Sequence, residues 1–119
     1  MEFNVNGLRD EEFAEGIAAS VLAVLEVHRF FELLDELFSP TDPVTAARKC
    51  EHSYASSIEI LKTLGMDSEE IADILVVLKA LGGCCDCEIL YNVAEESRLK
   101  AAYWKARYRE LTEERRSAP

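Results

Sequence analysis

Three cysteines fall within four residues, in the stretch Gly82-Gly83-Cys84-Cys85-Asp86-Cys87-Glu88-Ile89-Leu90-Tyr91-Asn92-Val93, and the fourth cysteine of the chain, Cys50, stands two residues before His52. Three thiolates and one imidazole are a common donor set for tetrahedral zinc. Cys50 and His52 from one segment, with Cys85 and Cys87 from the other, therefore read as two halves of one metal site. If they meet, the chain must fold so that segments more than thirty residues apart touch. Thiolates and imidazole suit zinc in softness, and three anionic sulfurs with one neutral nitrogen leave a complex of net −1 that Arg48, Lys49 or a helix N-terminus is placed to balance. Four protein ligands leave no position for water, so the expected role is structural. Cys84 is surplus.

Two other readings of the same cysteines stay open. Cys84, Cys85 and Cys87 are candidates for thiol redox chemistry, although the flanking Asp86 and Glu88 supply no cation to favour a thiolate. They are also candidates for plain core thiols. The amino-terminal sequence has no basic start, and the apolar run from Ile17 to Leu25 is too short to span a bilayer. A cytoplasmic, reducing setting is thus expected, in which grouped cysteines read as ligands or redox groups before disulfides.

The chain of 119 residues fits a single domain, and 49% hydrophobic with 30% charged residues is ordinary globular usage. Its pattern is helical throughout. Met1 to about residue 9 reads as a loose leader. Asp10 caps a long amphipathic helix over 10–38, with Phe13, Ile17, Val21, Val24, His28, Phe31 and Phe38 near one stripe that Leu25, Leu34 and Leu37 widen. So broad an apolar surface marks either the centre of the core or a homodimer interface, and His28 on that face is expected to be a hydrogen-bonded core histidine. Ser39-Pro40-Thr41-Asp42-Pro43 breaks the chain.

A helical core over 43–93 comes next: a short helical turn from Pro43 to about Lys49, a bend at Cys50 to His52, and a helix capped by Ser53 and stopped by Gly65. The bend is required because residues two apart on a helix face nearly opposite ways. Asp67 or Ser68 then caps a helix ending at Gly82-Gly83, with Ile71, Leu75, Leu78 and Leu81 on its inner face. A helix-turn-helix reading is disfavoured, since Asp67, Glu69, Glu70 and Asp73 would meet phosphates. Cys84 to Val93 is expected to be irregular or briefly extended. A last helix spans 96–114. The fold class is therefore all-α, a small bundle of four to five helices with a short Cys-rich turn after the double glycine.

The net charge of −10 argues against a nucleic-acid binder as a whole. From Arg98 to Arg116, however, seven basic residues stand against three acidic, a net of +4 that leaves −14 on the remainder. A basic helix folded against an acidic body is the simplest account, with its aromatics used in packing. Arg98, Lys105, Arg107 and Arg109 are the candidate contacts for an acidic partner or nucleic acid.

At Cys50-Glu51-His52-Ser53, Leu64-Gly65-Met66-Asp67 and Leu81 to Val93, the chain resembles a family of small bacterial proteins known only as a domain of unknown function. Members have a Cys-x-His-Thr start and a Gly-Gly-aromatic-Cys-Asp-Cys-Glu-Val-Leu-x-Asn-Val end. The match runs from about Cys50 to Val93, with Cys84 in place of the aromatic and Ser53 in place of Thr. The resemblance implies that Cys50, His52, Cys85 and Cys87 belong to the family pattern, and it implies no activity. No serine nucleophile, phosphate loop or paired-carboxylate arrangement stands out, and no catalytic residue is assigned. A zinc-stabilised interaction or regulatory module is favoured over an enzyme.

Overall fold

The computed structural model describes residues 7–117, and side chains over 11–114. Within these residues the chain is helical, without a strand, as the periodicity requires. The elements are α1 (Gly7–Val27), α2 (Phe30–Phe38), α3 (Ala55–Thr63), α4 (Ser68–Ala80), the single turn α5 (Asp86–Glu88) running into a π-helical turn (Ile89–Val93), and α6 (Arg98–Ser117). That is more helices than the four to five expected, and two breaks in the chain explain the difference.

The helix expected over 10–38 is interrupted at Arg29, whose φ of 57° lies in the left-handed region. The buried side chains show why. Leu25 in α1 and Phe30, Leu34 and Phe38 in α2 all enter the core. Five residues at about 100° each would turn Phe30 some 140° away from Leu25 on a continuous helix. One left-handed residue restores the phase, so both ladders face inward. His28 lies in this break and is exposed, not the core histidine expected. Of the leader expected over 1–9, residues 1–6 lie outside the described residues, while 7–9 already belong to α1.

Pro40 ends α2 where expected, and Asp42 caps a turn by accepting from the Val44 N–H at 2.9 Å. The helical turn expected from Pro43 to Lys49 does not propagate. Every residue from Thr41 to Lys49 is exposed, and a short helix with no apolar face to bury is not stable in water. The segment instead returns along α2, with the Arg48 N–H donating to the Leu37 carbonyl at 2.9 Å.

The core gathers Leu25, Phe30, Leu34, Phe38, Ile60, Leu61, Ile71, Ile74, Leu78, Ile89 and Leu90. In α4, Ile71 and Leu78 point inward as expected, joined by Ile74 and Val77, whereas Leu81 is exposed. Asp67 closes a capping box with Glu70, accepting from the Glu70 N–H at 2.8 Å while the Glu70 carboxylate accepts from the Asp67 N–H at 2.9 Å. Gly65 and Gly82 end their helices at φ of 90° and 98°, values that an L side chain rarely adopts.

Only the start of α6 is docked, and Tyr103 in its second turn still packs edge-on against Tyr91, with ring centroids 5.9 Å apart. Asp35, buried in α2, accepts from the Arg98 N–H at 2.7 Å and the Leu99 N–H at 3.2 Å, so a carboxylate 63 residues earlier caps the helix together with Ser97, which accepts from the Lys100 N–H. Ala101 to Glu110 nonetheless all remain exposed, and the molecule measures 65 × 34 × 24 Å. Its radius of gyration of 17.1 Å exceeds the roughly 13.5 Å of a compact chain of this length. The basic helix is thus not folded along the acidic body, as expected from the sequence, but projects from it.

Asp35→Ala leaves these two N–H groups without their acceptor. The expected cost is about 1–2 kcal/mol of stability. Hydrogen exchange should speed up first at the Arg98 and Leu99 amides, with those of α4 least affected.

Candidate metal centre

The site is assembled by an aspartate that lies between two of the cysteines. Asp86 is 3% exposed, and its carboxylate accepts from the Ser56 and Ser57 N–H groups, each at 3.0 Å, and from the Ser57 hydroxyl at 2.6 Å. It therefore caps α3 from thirty residues away, where the helix dipole favours an anion and where Ser53, the cap expected from sequence, reaches only the Ala55 N–H at 3.3 Å. The backbone completes the tie: the Asp86 N–H donates to the Ser53 carbonyl at 2.9 Å. With residue 86 anchored to residues 53–57, Cys85 and Cys87 are brought beside the Cys50 to His52 loop.

The rest of the glycine–cysteine stretch serves the same turn. Gly83 is buried so closely that a Cβ would stand 2.8 Å from Ile89 Cγ1 and 3.0 Å from Val93 Cγ2. The Tyr54 hydroxyl donates to the Gly83 carbonyl at 2.6 Å, and the Asn92 amide donates to the Gly82 carbonyl at 2.8 Å. Glu88 accepts from the Cys84 N–H at 3.1 Å. Leu90 is fully buried. These contacts fold Cys84 to Val93 into a helical turn continued by a π turn, in place of the irregular or extended piece expected there. A residue-by-residue role in packing is what the sequence did not reveal; the one available hint was Ser56-Ser57 at a helix start that carries no acid of its own.

On the other side, Arg48 holds the loop by donating to the Ser56 hydroxyl and to Glu59, both at 3.1 Å. It is thereby committed away from the cysteines and does not balance their charge, as the sequence had suggested. The bend expected at Cys50 to His52 is present, and His52 adopts a left-handed φ of 58°. That reversal, not a helix, allows residues two apart to aim at one point.

The donor atoms of Cys50, His52 and Cys85 all lie within 4.8 Å of one another, and the Cys50 and Cys85 sulfurs share a hydrogen bond at 3.5 Å. Zinc bonds of about 2.3 Å to sulfur and 2.1 Å to nitrogen set tetrahedral donors some 3.5–3.8 Å apart. Three of the four expected ligands therefore fit an ion with a contraction of about 1 Å or less. Cys87 lies outside this group of three, although its thiol is near enough to Cys50 to perturb it electrostatically. Cys84 is exposed and outside the cluster, as expected of a surplus cysteine.

The electrostatics distinguish the sulfurs. Burial alone would raise the Cys50 pKa, but hydrogen bonds from the Cys87 thiol, from the backbone at Cys87 and His52 and from the Cys85 thiol outweigh it and leave Cys50 below the ordinary thiol value. Cys87 is pushed up to about 12, first by burial and then by its bond to Cys50 and the charges of Cys50, Cys85 and Asp86. Cys85 is also raised, by burial first, although backbone donors at Glu88 and Cys87 oppose the shift. A divalent cation bound among these sulfurs would favour their thiolate forms and offset the burial that opposes charge there.

The candidate partner-binding cations are not gathered into one patch. Arg98 is committed to the body, pairing with Glu36 at 2.8 Å and donating to the Ser39 carbonyl at 2.9 Å. Arg107 pairs with Glu110 at 3.2 Å. Lys105 and Arg109 border a shallow groove beside Trp104 and Tyr108.

Residues 37–92 match the model of a family described as a protein of unknown function, DUF2695. The match bears out the expected resemblance to a family of unknown function, and it covers the end of α2, the loop, α3, α4 and the cysteine turn, leaving out α1 and α6. No curated protein and no solved structure matches the chain. Among the described residues, no helix is long and apolar enough to cross a membrane.

Gly83→Ala drives a methyl group into Ile89 and Val93 and should lower stability by about 1–3 kcal/mol. Asp86→Ala, which removes a buried acceptor from two N–H groups and a hydroxyl, should cost about 2–4 kcal/mol. Chemical denaturation of both variants beside Cys84→Ser, which should be nearly neutral, checks the ranking.

Proposed function

We propose that this chain is a small interaction or regulatory module whose helical core is stapled by a structural zinc ion, held by Cys50, His52, Cys85 and Cys87 in a reducing, cytoplasmic setting. The observation that supports this reading most is the convergence of the Cys50, His52 and Cys85 donors from two segments more than thirty residues apart. The neighbouring residues of the turn are occupied with packing and capping, whereas His52 is exposed and keeps a left-handed backbone at a cost of order 1 kcal/mol or more. Such strain is reasonable where a bond to the imidazole compensates it. Cys87 is the natural fourth ligand because it follows Cys85 by two residues on the same turn and lies near enough to Cys50 for the two thiols to perturb one another. When bound, the ion would supply a crosslink between the 50–52 loop and the 85–87 turn and would hold all three sulfurs as thiolates. Four protein ligands leave no site for substrate, which favours a binding role over catalysis.

Thiol chemistry is the second reading, and the pair that favours it is Cys50 and Cys85, at 3.5 Å, not the run Cys84, Cys85 and Cys87 expected from sequence.

Protein purified without a tag or added metal should contain one zinc per chain. Chelation should expose additional reactive thiols and lower the melting temperature. Cys50→Ser, His52→Ala and Cys85→Ser should each lose most of the metal, and Cys84→Ser should keep it. Metal-free protein in which Cys50 and Cys85 oxidise to an intramolecular disulfide would instead support the thiol reading.

A further inference from the structure

Two helices of the structure show apolar faces to solvent. On α6, Ala101, Trp104, Tyr108 and Leu111 recur at spacings of three, four and three, the pattern of a coiled-coil seam. Trp104 is 57% exposed, Tyr108 71% and Leu111 46%, in a helix that projects from the body beyond the contact of Tyr103 with Tyr91. On α1, Phe13, Ile17, Val24 and Val27 lie on one stripe whose middle position is the small Ser20, giving spacings of four, three, four and three. This second seam lies away from the Ala14 and Leu25 side that packs on the core, and Phe13, Val24 and Val27 are 46%, 43% and 78% exposed. Both seams lie outside the segment 37–92 that matches the family.

The two helices are complementary in charge, and their seams in length and relief. Lys100, Lys105 and Arg107 flank the seam of α6, whereas α1 over residues 11–27 carries Glu11, Glu12, Glu15 and Glu26 and no Lys or Arg; its acids lie on the faces away from the seam and form no ion pair among the described residues. Helices of 20 and 21 residues are both about 30 Å long. Gly16, Ser20 and Ala23 leave low ground along the α1 seam, where rings as large as those of Trp104 and Tyr108 have room. Pairing α6 with another α6 would set Lys105 and Arg107 against their like, at a cost. The chain cannot satisfy itself, because the Asp35 cap and the Arg98 ion pairs fix the direction in which α6 leaves the body.

We infer that the chain forms a two-fold symmetric homodimer in which the projecting α6 of each copy lies along the exposed α1 seam of the other. The occupant of each seam is a second copy of this chain, and the arrangement is isologous, each protomer giving one helix and receiving one. It does not rest on the metal.

Sedimentation velocity of the full chain under reducing conditions, from ~1 to ~200 µM, tests this assembly. The expected species is a dimer of two 13.4 kDa chains, weakened by about 1 M salt, at which charges are screened within ~3 Å. Trp104→Glu and Val24→Glu should each weaken self-association at least ~30-fold. An equimolar mixture of the two should recover a one-to-one dimer, because one intact α6 then meets one intact α1. Circular dichroism verifies that both variants stay helical, and Tyr108→Glu with Val27→Glu, at still more exposed positions, form a second pair. A wild-type chain that stays monomeric at every concentration would overturn the inference. So would a Trp104→Glu protein that still dimerises alone, a Val24→Glu protein that does so through α6 with α6, or a mixture that stays monomeric.

Discussion

A single carboxylate holds the two halves of the site together. Asp86 places a negative charge at the N-terminus of α3, where the first N–H groups have no partner within their own helix, and in doing so fixes the position of the cysteine on either side of it. The cost of burying a carboxylate is offset only because three donors converge on it. The same device appears a second time. Asp35 caps α6 across the chain, so both helices that begin after a long excursion are started by an acid from elsewhere in the sequence. A fold with so few residues in its core gains specificity from such contacts, since each is satisfied only in one register.

This anchor imposes a division of labour within the cysteine stretch. Gly82 supplies a left-handed turn, Gly83 a surface bare enough for Ile89 and Val93 to approach, Asn92 and Tyr54 the donors that hold the two glycine carbonyls, and Leu90 the core contact. The thiols of Cys85 and Cys87 and the exposed ring of His52 are what these structural roles leave over. The meeting of Cys85 and His52 with Cys50 is what supports proposing a ligand for them. The metal would act on a site already shaped by hydrogen bonds, tightening it by about 1 Å.

Much of this was legible in the sequence where the pattern is local. The α4 capping box, the glycine stops and the turn at Pro40 arise from residues within a few positions of one another. The convergence of Cys50 and His52 with Cys85 was legible as well, through the chemistry of the donor set. The break at Arg29 was written in the five-residue step from Leu25 to Phe30, which a single broad stripe conceals. Less accessible were the roles of Asp86 and Asp35, because an aspartate that caps a helix thirty or sixty residues away carries no mark of its partner. The direction of α6 was likewise hidden. Its aromatics and its charge pointed to packing against the body, while the docking of the helix depends on Asp35, and Asp35 reads as an ordinary acid on the polar side of a helix.

Whether the two segments meet on an ion is decided by X-ray absorption at the zinc edge, on protein purified from cells without added metal. A first shell of three sulfurs at about 2.3 Å and one nitrogen at about 2.1 Å is the predicted result. Zinc in a shell of oxygen and nitrogen alone, or protein that carries no metal, would contradict it.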